Sequence, residues 1–584
     1  MNGTLPALLA QRVQATPQAC AFQLEDASGR WQPLSWARFA EQVEQVGRGL
    51  AAAGLRHGDR LALVAPVSLH WELVHHAALA LGAVVVGFDT HDLPSRIADM
   101  TEQADIGAFV VVDEAVLAEV GDERLGAARF VLRLPASRGE RRAGTKTLDW
   151  DTLIATAPAA GGDAGPVVGA DDLATIIFTS GTTGRPRGIA YTHGQVCLAV
   201  DAICATFSFV DASSRVLCWL PLSNLFQRIV NLAALRQGAA AYLLADPRRV
   251  MQVVAGVEPD VFVGVPRFFE KLLEGVRSGV DAQPPFKRWV ARRAWSLGRH
   301  MASFRLRQET PPAVLRLAHG LAERLVLARL RASVMGPRLR LMVTGSAPIA
   351  PEVLREFLAL GWLVLEAYGQ SENIVPIAMN RPDDFCFGTV GRPVRSNEVV
   401  VGEDGSVRVR GPGLFRGYLG EPRPAGFDAE GFYTTGDLGA WDEHGHLKLI
   451  GRSSELFKTS TGRRIAPVLV EDALRRVPGI DQAMLVGAGR KYPIALCTLP
   501  GPVDDEARRR LAAAMAAQVA PLAEAERPRG VVLLDRPFDI GRGELTPNLK
   551  LRRTAIEALH APAIEAMYRR LDNRPPEARD LLVG

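Results

Sequence analysis

Between Thr179 and Gly188 the chain reads TSGTTGRPRG, a run in which hydroxyls and glycines alternate at Thr179, Ser180, Gly181, Thr182, Thr183 and Gly184. Glycines let a backbone approach a ligand closely, and amides and hydroxyls donate to anions, so the run has the chemistry of a phosphate loop. The apolar residues Ala174 to Phe178 before it predict a strand. A Walker loop would place lysine and then Ser or Thr after its last glycine. Here Gly184 is followed by Arg185 and Pro186, and Arg187 supplies a cation. A Gly/Ser-rich surface turn has the same composition, so the remainder of the chain must decide.

Four later segments follow in order: LRLMVTGSAPI, EAYGQSEN, YTTGDL and GRSSELFKTSTGRRIAP. GELTPNLKLRR comes near the end. The ordered set resembles the adenylate-forming (AMP-binding) superfamily from about Leu34 to Arg553. Within it the chain is most similar to long-chain fatty acyl-CoA synthetases, through VGVPRFFEKL, a basic insert before LRLMVTGSAPI, and the LTPNLKLRR form of the tail motif.

The resemblance implies an α/β fold, with a large multi-subdomain N-terminal adenylation domain over 1–451, a hinge at 452–454 and a small mobile α+β domain over 455–584. It implies two steps, formation of an acyl-adenylate from ATP and a fatty acid, then transfer to the thiol of CoA. Carboxylate and α-phosphate are both anions, so such a site must gather donors and cations where charge builds up. Thr179 to Gly184, with Thr182 catalytic, would wrap the leaving phosphates beside Arg187. Glu372 would bind Mg2+, a metal that takes hard oxygen ligands. Gly345, Ser346 and Ala347 would line the adenine with Tyr368 and Gly369, with Gln370 and Ser371 adjoining. Asp437 and Arg452 would hold the ribose, and Lys550 would bridge carboxylate and α-phosphate. An alternative acceptor is the phosphopantetheine of an acyl carrier protein, loaded by a fatty acyl-AMP ligase. Arg187, Asn224, Gln227 and Ser454 depart from the residues usual in similar proteins. Asn224 and Gln227 fall in a stretch that borders the acyl pocket in the family.

The elements that must position these residues are visible as periodicities. From Leu34 to Val112, LSWARFAEQVEQVGRGLAAAGL and WELVHHAALALG have helical spacing, while RLALVAP and AVVVGF read as strands, an alternation that favours parallel α/β layers. Thr192 reads as a helix N-cap, predicting that GQVCLAVDAICATF after it forms the helix behind the phosphate loop. Further strands are predicted at SRVLCWLPL, AAAYLLA, DVFVGVP, LRLMVTGSAPI and LVLEAYG; beyond Arg392 strands shorten and turns multiply. From about Ser454 the chain reads as a small separate α/β domain, and after His560 it carries no recognisable motif.

Phe286 to Arg331 is rich in cations. Phe286, Trp289, Val290, Leu297, Met301 and Phe304 form a stripe at helical spacing, with Lys287, Arg288, Arg292 and Arg299 largely off it. A packed helix with a solvated basic face is one reading, and docking on an anionic membrane surface is the sharper alternative. No nucleic-acid module accompanies the charge, so nucleic acid is not an expected partner.

The 584 residues carry a formal net charge of +4 and are 48% hydrophobic and 23% charged, the balance of a globular protein of several structural domains. Six cysteines show neither CxxC spacing nor a compact framework, which points to a reducing compartment. The N-terminus lacks the pattern of a secretory signal, and no apolar stretch has the length of a spanning helix. The expected setting is the cytoplasm, with at most a peripheral contact at the inner face of a membrane.

Overall fold

The computed structural model describes residues 3–138, 144–159, 167–179, 185–421, 426–539, 541–545, 551–573 and 581–584. The chain divides into two compact units, Met1–Glu398 with Arg410–Tyr433, and Val399–Val409 with Thr434–Gly584.

The first unit is built on two sheets. One has seven strands, in the spatial order Thr147–Asp149, Val131–Arg138, Ala108–Asp113, Arg60–Val64, Val84–Gly87, Leu173–Thr179 and Arg187–Thr192. All its pairs are parallel except the last. Strands such as Val84–Gly87 are buried on both faces and so read as unbroken apolar runs. The second sheet has nine strands, parallel through its centre and closed at each side by antiparallel strands. The predicted alternation holds: helix Trp36–Ala53 begins at Ser35, whose side chain accepts from the Arg38 amide, and stops at the left-handed Gly54. Strand Arg60–Val64, helix Leu69–Ala80 and strand Val84–Gly87 follow.

The basic insert is helical, with Pro285–Leu306 followed by Ala313–Ala322, a π-turn over Glu323–Leu327, and Ala328–Met335. The face that Pro285–Leu306 buries is not the predicted stripe: Ala294, Trp295, Gly298 and Ala302 are buried, while Phe286 and Trp289 are exposed. Small residues decide this, because they let the helix lie close on Pro351–Ala359. A Cβ at Gly298 would come within 1.9 Å of the Ala359 carbonyl oxygen.

In the second unit, Glu398–Val401, Ser406–Arg410, Tyr433–Trp441 and Leu447–Arg452 form a four-stranded sheet. A second four-stranded sheet, Gln482–Val486, Ile494–Thr498, Gly530–Leu534 and Leu582–Val583, carries an apolar core on each face. Its last strand comes from the tail that offered no motif. By its contacts the first of these sheets belongs with the C-terminal unit, although it lies ahead of the expected boundary at 451. Among the described residues no cysteine forms a disulfide. Among the described residues no helix is long and apolar enough to cross a membrane.

Candidate active site

The strand predicted before the phosphate loop runs Leu173–Thr179 and pairs antiparallel with Arg187–Thr192, Thr179 opposite Arg187. Ser180, Gly181, Thr182, Thr183 and Gly184 lie outside the described residues. The helix predicted after Thr192 is present. The return strand precedes it, and helix His193–Thr206 starts at a capping box between Thr192 and Gln195. Gln103 braces the return: its Nε2 donates to the Pro186 carbonyl at 2.7 Å, and its Oε1 accepts from the Gly188 amide at 3.2 Å. A cavity of about 420 Å³ opens here between Gln103, Arg185, Arg187, Tyr418 and Glu421.

Glu372 stands in the turn between strands Val364–Gln370 and Asn373–Met379. The Tyr418 hydroxyl donates to Glu372 Oε1 at 2.6 Å, and the Phe415 amide donates to the Glu372 carbonyl at 2.9 Å. One residue earlier, the buried Tyr191 hydroxyl donates to the Ser371 carbonyl at 2.5 Å. Burial, together with the charge of Glu372, pushes both phenols well above their usual range, so each acts as a donor. The Arg187 guanidinium lies over the Tyr418 ring, 3.4 Å from its centre, and donates to Glu421 Oε1 at 2.5 Å. Cation and acidic turn are thus linked through one tyrosine.

Sheet register joins two of the predicted motifs. Gly345, ending strand Leu341–Gly345, pairs in parallel with Ala367, so Ser346 and Ala347 emerge beside Tyr368 and Gly369. Tyr368 is buried and Gly369 exposed. Ser346 has φ +73°, a left-handed conformation that costs a non-glycine residue roughly 1 kcal/mol or more. Gln370 Nε2 is buried with no hydrogen-bond partner, a donor held ready for an acceptor. Glu366, on the same strand, is pushed up to about 8 by burial, against hydrogen bonds from the Gly388 and Ile349 amides.

In the second unit Asp437 and Arg452 are direct cross-strand partners, with Arg452 Nε 3.1 Å from Asp437 Oδ1. The left-handed turn at Gly436 (φ +77°) and the bond from the Asp437 amide to Thr435 Oγ1 fix where the nearly buried carboxylate emerges. Lys550 lies outside the described residues. The chain on either side is closed by a bridge between Leu545 and Leu551. Burial would raise Glu544 beside it, yet hydrogen bonds from Arg536, His560 and the Asp539 amide outweigh that and hold it at about 2.

The two departures in the stretch expected to border an acyl pocket lie at the start of one helix. Asn224 caps helix Leu225–Gln237, its Oδ1 accepting from the Phe226 amide. Gln227 is fully buried, accepting from the Leu220 amide and donating to Asn231 Oδ1 at 2.9 Å. Asn231 in turn donates to Glu72 Oε1 at 2.7 Å and to Cys218 Sγ. Arg228 donates to Thr175 Oγ1 at 2.8 Å. Thr175 and Cys218 belong to different sheets, so this buried network ties the two sheets together. Burial pushes Glu72 up to about 7 and Arg228 down to about 10.

Residues 9–419 match the family model for an AMP-binding enzyme, and residues 455–572 match the AMP-binding enzyme C-terminal domain. The chain belongs to the AMP-binding enzyme family. Two relatives extend the likeness over most of its length. A long-chain-fatty-acid–CoA ligase of Mycobacterium tuberculosis, FadD15, is 29% identical over 570 residues, covering 92% of this chain and 93% of its own. The peroxisomal long chain acyl-CoA synthetase 7 of Arabidopsis thaliana is 26% identical over 92% of this chain and 82% of its own. Among solved structures, an anthranilate CoA ligase superposes with TM-score 0.73 at 18% identity over 97% of this chain and 98% of its own. The o-succinylbenzoate CoA synthetase of Bacillus subtilis does so with TM-score 0.70 at 22% identity over 94% and 97%. At these identities the structural likeness is one of fold.

In this AMP-binding enzyme, sequence reasoning missed Gln103, Tyr418 and Glu421. The signal for the last two was Tyr418 in FRGYLGE, a buried-type aromatic in a turn-rich stretch, whose backbone bridges Ile189 of the return strand.

Proposed function

We propose that the chain activates a fatty acid with ATP and passes the acyl group to CoA. A carboxylate oxygen attacks the α-phosphorus and pyrophosphate leaves; the CoA sulfur then attacks the acyl carbon, and AMP leaves with that oxygen. The observation carrying the reading is the chain of contacts from Glu421 through Arg187 and Tyr418 to Glu372, which fixes a cation and a carboxylate beside the hairpin that bears the phosphate loop. The fatty acid and CoA come from the relatives that cover the chain nearly end to end and are named as ligases of long-chain acids to CoA. Those names favour CoA over a carrier protein as acceptor.

The residues present fit the nucleotide. Gln370 Nε2 is an unpartnered buried donor, and at Gly345 a Cβ would already press on the Ala367 carbonyl oxygen at 3.1 Å. Glu372, half-buried with one oxygen oriented by Tyr418, offers the hard donor that magnesium requires. Magnesium bound there would offset phosphate charge. Thr179 and the loop after it take the leaving phosphates, Gly345, Ser346, Ala347, Tyr368, Gly369 and Ser371 take the base, and Asp437 with Arg452 takes the ribose. Lys550 serves adenylation, and the exposed turn Arg452–Ser454 is the proposed hinge between the two half-reactions. Cysteines outside any disulfide suit a cytoplasmic setting.

The test is pyrophosphate release with ATP, magnesium and fatty acids of increasing length, with and without CoA. Turnover that requires CoA and peaks at long chains is the expected result. Pyrophosphate formation without an acyl-CoA product would overturn the choice of acceptor.

A further inference from the structure

Among the described residues, more than half of the large apolar side chains left exposed lie in the basic helical insert: Phe286, Trp289, Val314, Leu317, Leu321 and Leu325, each between 50% and 79% exposed. Four of them, Val314, Leu317, Leu321 and Leu325, recur at one-turn intervals along Ala313–Ala322 and the π-turn after it. They therefore share one face of one helix. Phe286 and Trp289 begin the preceding helix with their rings stacked, 6.3 Å between centres. That helix is anchored elsewhere, through Gly298 on Ala359 and a bidentate contact from Arg299 to Glu356, so the stripe is not needed to hold the insert in place.

The charge around the stripe selects its partner. From Pro285 to Met335 there are eleven lysines and arginines against two acids. Both acids are engaged within the insert, Glu309 by Arg307 and Glu323 by Arg331. Arg316, Arg324 and Arg329, all exposed, alternate with the stripe, and Lys287 lies between Phe286 and Trp289. A second copy of this chain would bring like charges face to face. A nucleic acid would satisfy the cations and leave the apolar stripe in water. A bilayer surface of anionic lipid accepts both, taking the apolar face between its headgroups and the arginines among its phosphates.

We infer that the Val314–Leu325 face, with Phe286 and Trp289, docks on anionic lipid bilayers. Arg292 and Arg299 are not part of this surface, since Asp281 and Glu356 hold them. The inference does not depend on the fatty-acid reading of the site.

The test is cosedimentation of the full chain with vesicles of phosphatidylcholine, with and without phosphatidylglycerol, at low and high salt. The parent should bind the anionic vesicles and lose most of that binding at high salt. The double variant L317D/L321D should bind roughly tenfold less while keeping the parent melting temperature, because both residues are exposed. Should it melt lower, R324E/R329E decides, with the same loss expected. Binding by either variant equal to the parent's would overturn the inference. So would a parent that ignores both vesicles, or one that self-associates through the stripe without binding lipid.

Discussion

The Arg187 guanidinium stacks on the Tyr418 ring at 3.4 Å, and the Tyr418 hydroxyl donates to Glu372 at 2.6 Å. A cation on the edge strand of one sheet is thus linked through Tyr418 to the carboxylate in a turn of the other sheet.

Removing the hydroxyl alone should free Glu372. A hydrogen bond to a charged group contributes about 1.5–3 kcal/mol, so Tyr418→Phe should lower kcat/KM for ATP roughly ten- to hundredfold. It should also raise the magnesium concentration needed for half-maximal rate. An unchanged magnesium dependence would detach Tyr418 from the metal-binding role of Glu372.

Arg187 offers a planar fork to Glu421 and a flat face to Tyr418, and lysine can supply only the charge. Arg187→Lys should therefore cost about 1 kcal/mol, the value of the stacking. Arg187→Met, which removes the ion pair as well, should cost more. Equal kcat/KM for Met and Arg at this position would show that the link does not matter.

Gln227 and Asn231 connect helices and a strand in the interior through hydrogen bonds to each other, to Glu72 and to Cys218. Asn231→Ala leaves Glu72 Oε1 and the Gln227 side-chain amide donor without these buried hydrogen bonds and should destabilise the fold by about 2–4 kcal/mol in denaturant titration. The order of preference among fatty acids should stay the same. A shift in chain-length preference would place this helix at the acyl pocket.

Glu366 gives a pH signature. Its folded value, about 8, lies above the ordinary 4.5, so the folded state holds an extra proton between those values and stability falls as pH rises through the window. Glu366→Gln removes that slope. Its stability relative to the parent should rise from about pH 5 to about pH 8, read from urea midpoints. Parallel profiles for the two proteins would place the ionised carboxylate in the folded state.

Much of this was legible beforehand, for physical reasons. Strand Leu173–Thr179 and the parallel layers announce themselves because strands buried on both faces are unbroken apolar runs. Thr192 shows as a cap because a hydroxyl before a helix satisfies free amides. The return strand Arg187–Thr192 did not show, because Pro186 and Gly188 at its start carry turn composition. The Tyr418 contacts depend on packing between segments far apart in sequence, which no local pattern encodes. The insert illustrates a further limit: helical spacing marked Phe286 and Trp289 as one face with Leu297 and Met301, yet small residues at Ala294, Gly298 and Ala302 took the buried side.

The central claim is that the acid is activated as an acyl-adenylate, and isotope transfer tests it most directly. A fatty acid labelled with heavy oxygen in its carboxylate, turned over with ATP and CoA, should yield AMP bearing one labelled oxygen, with unlabelled pyrophosphate. Label appearing in inorganic phosphate alongside ADP, or AMP free of label, would contradict the account.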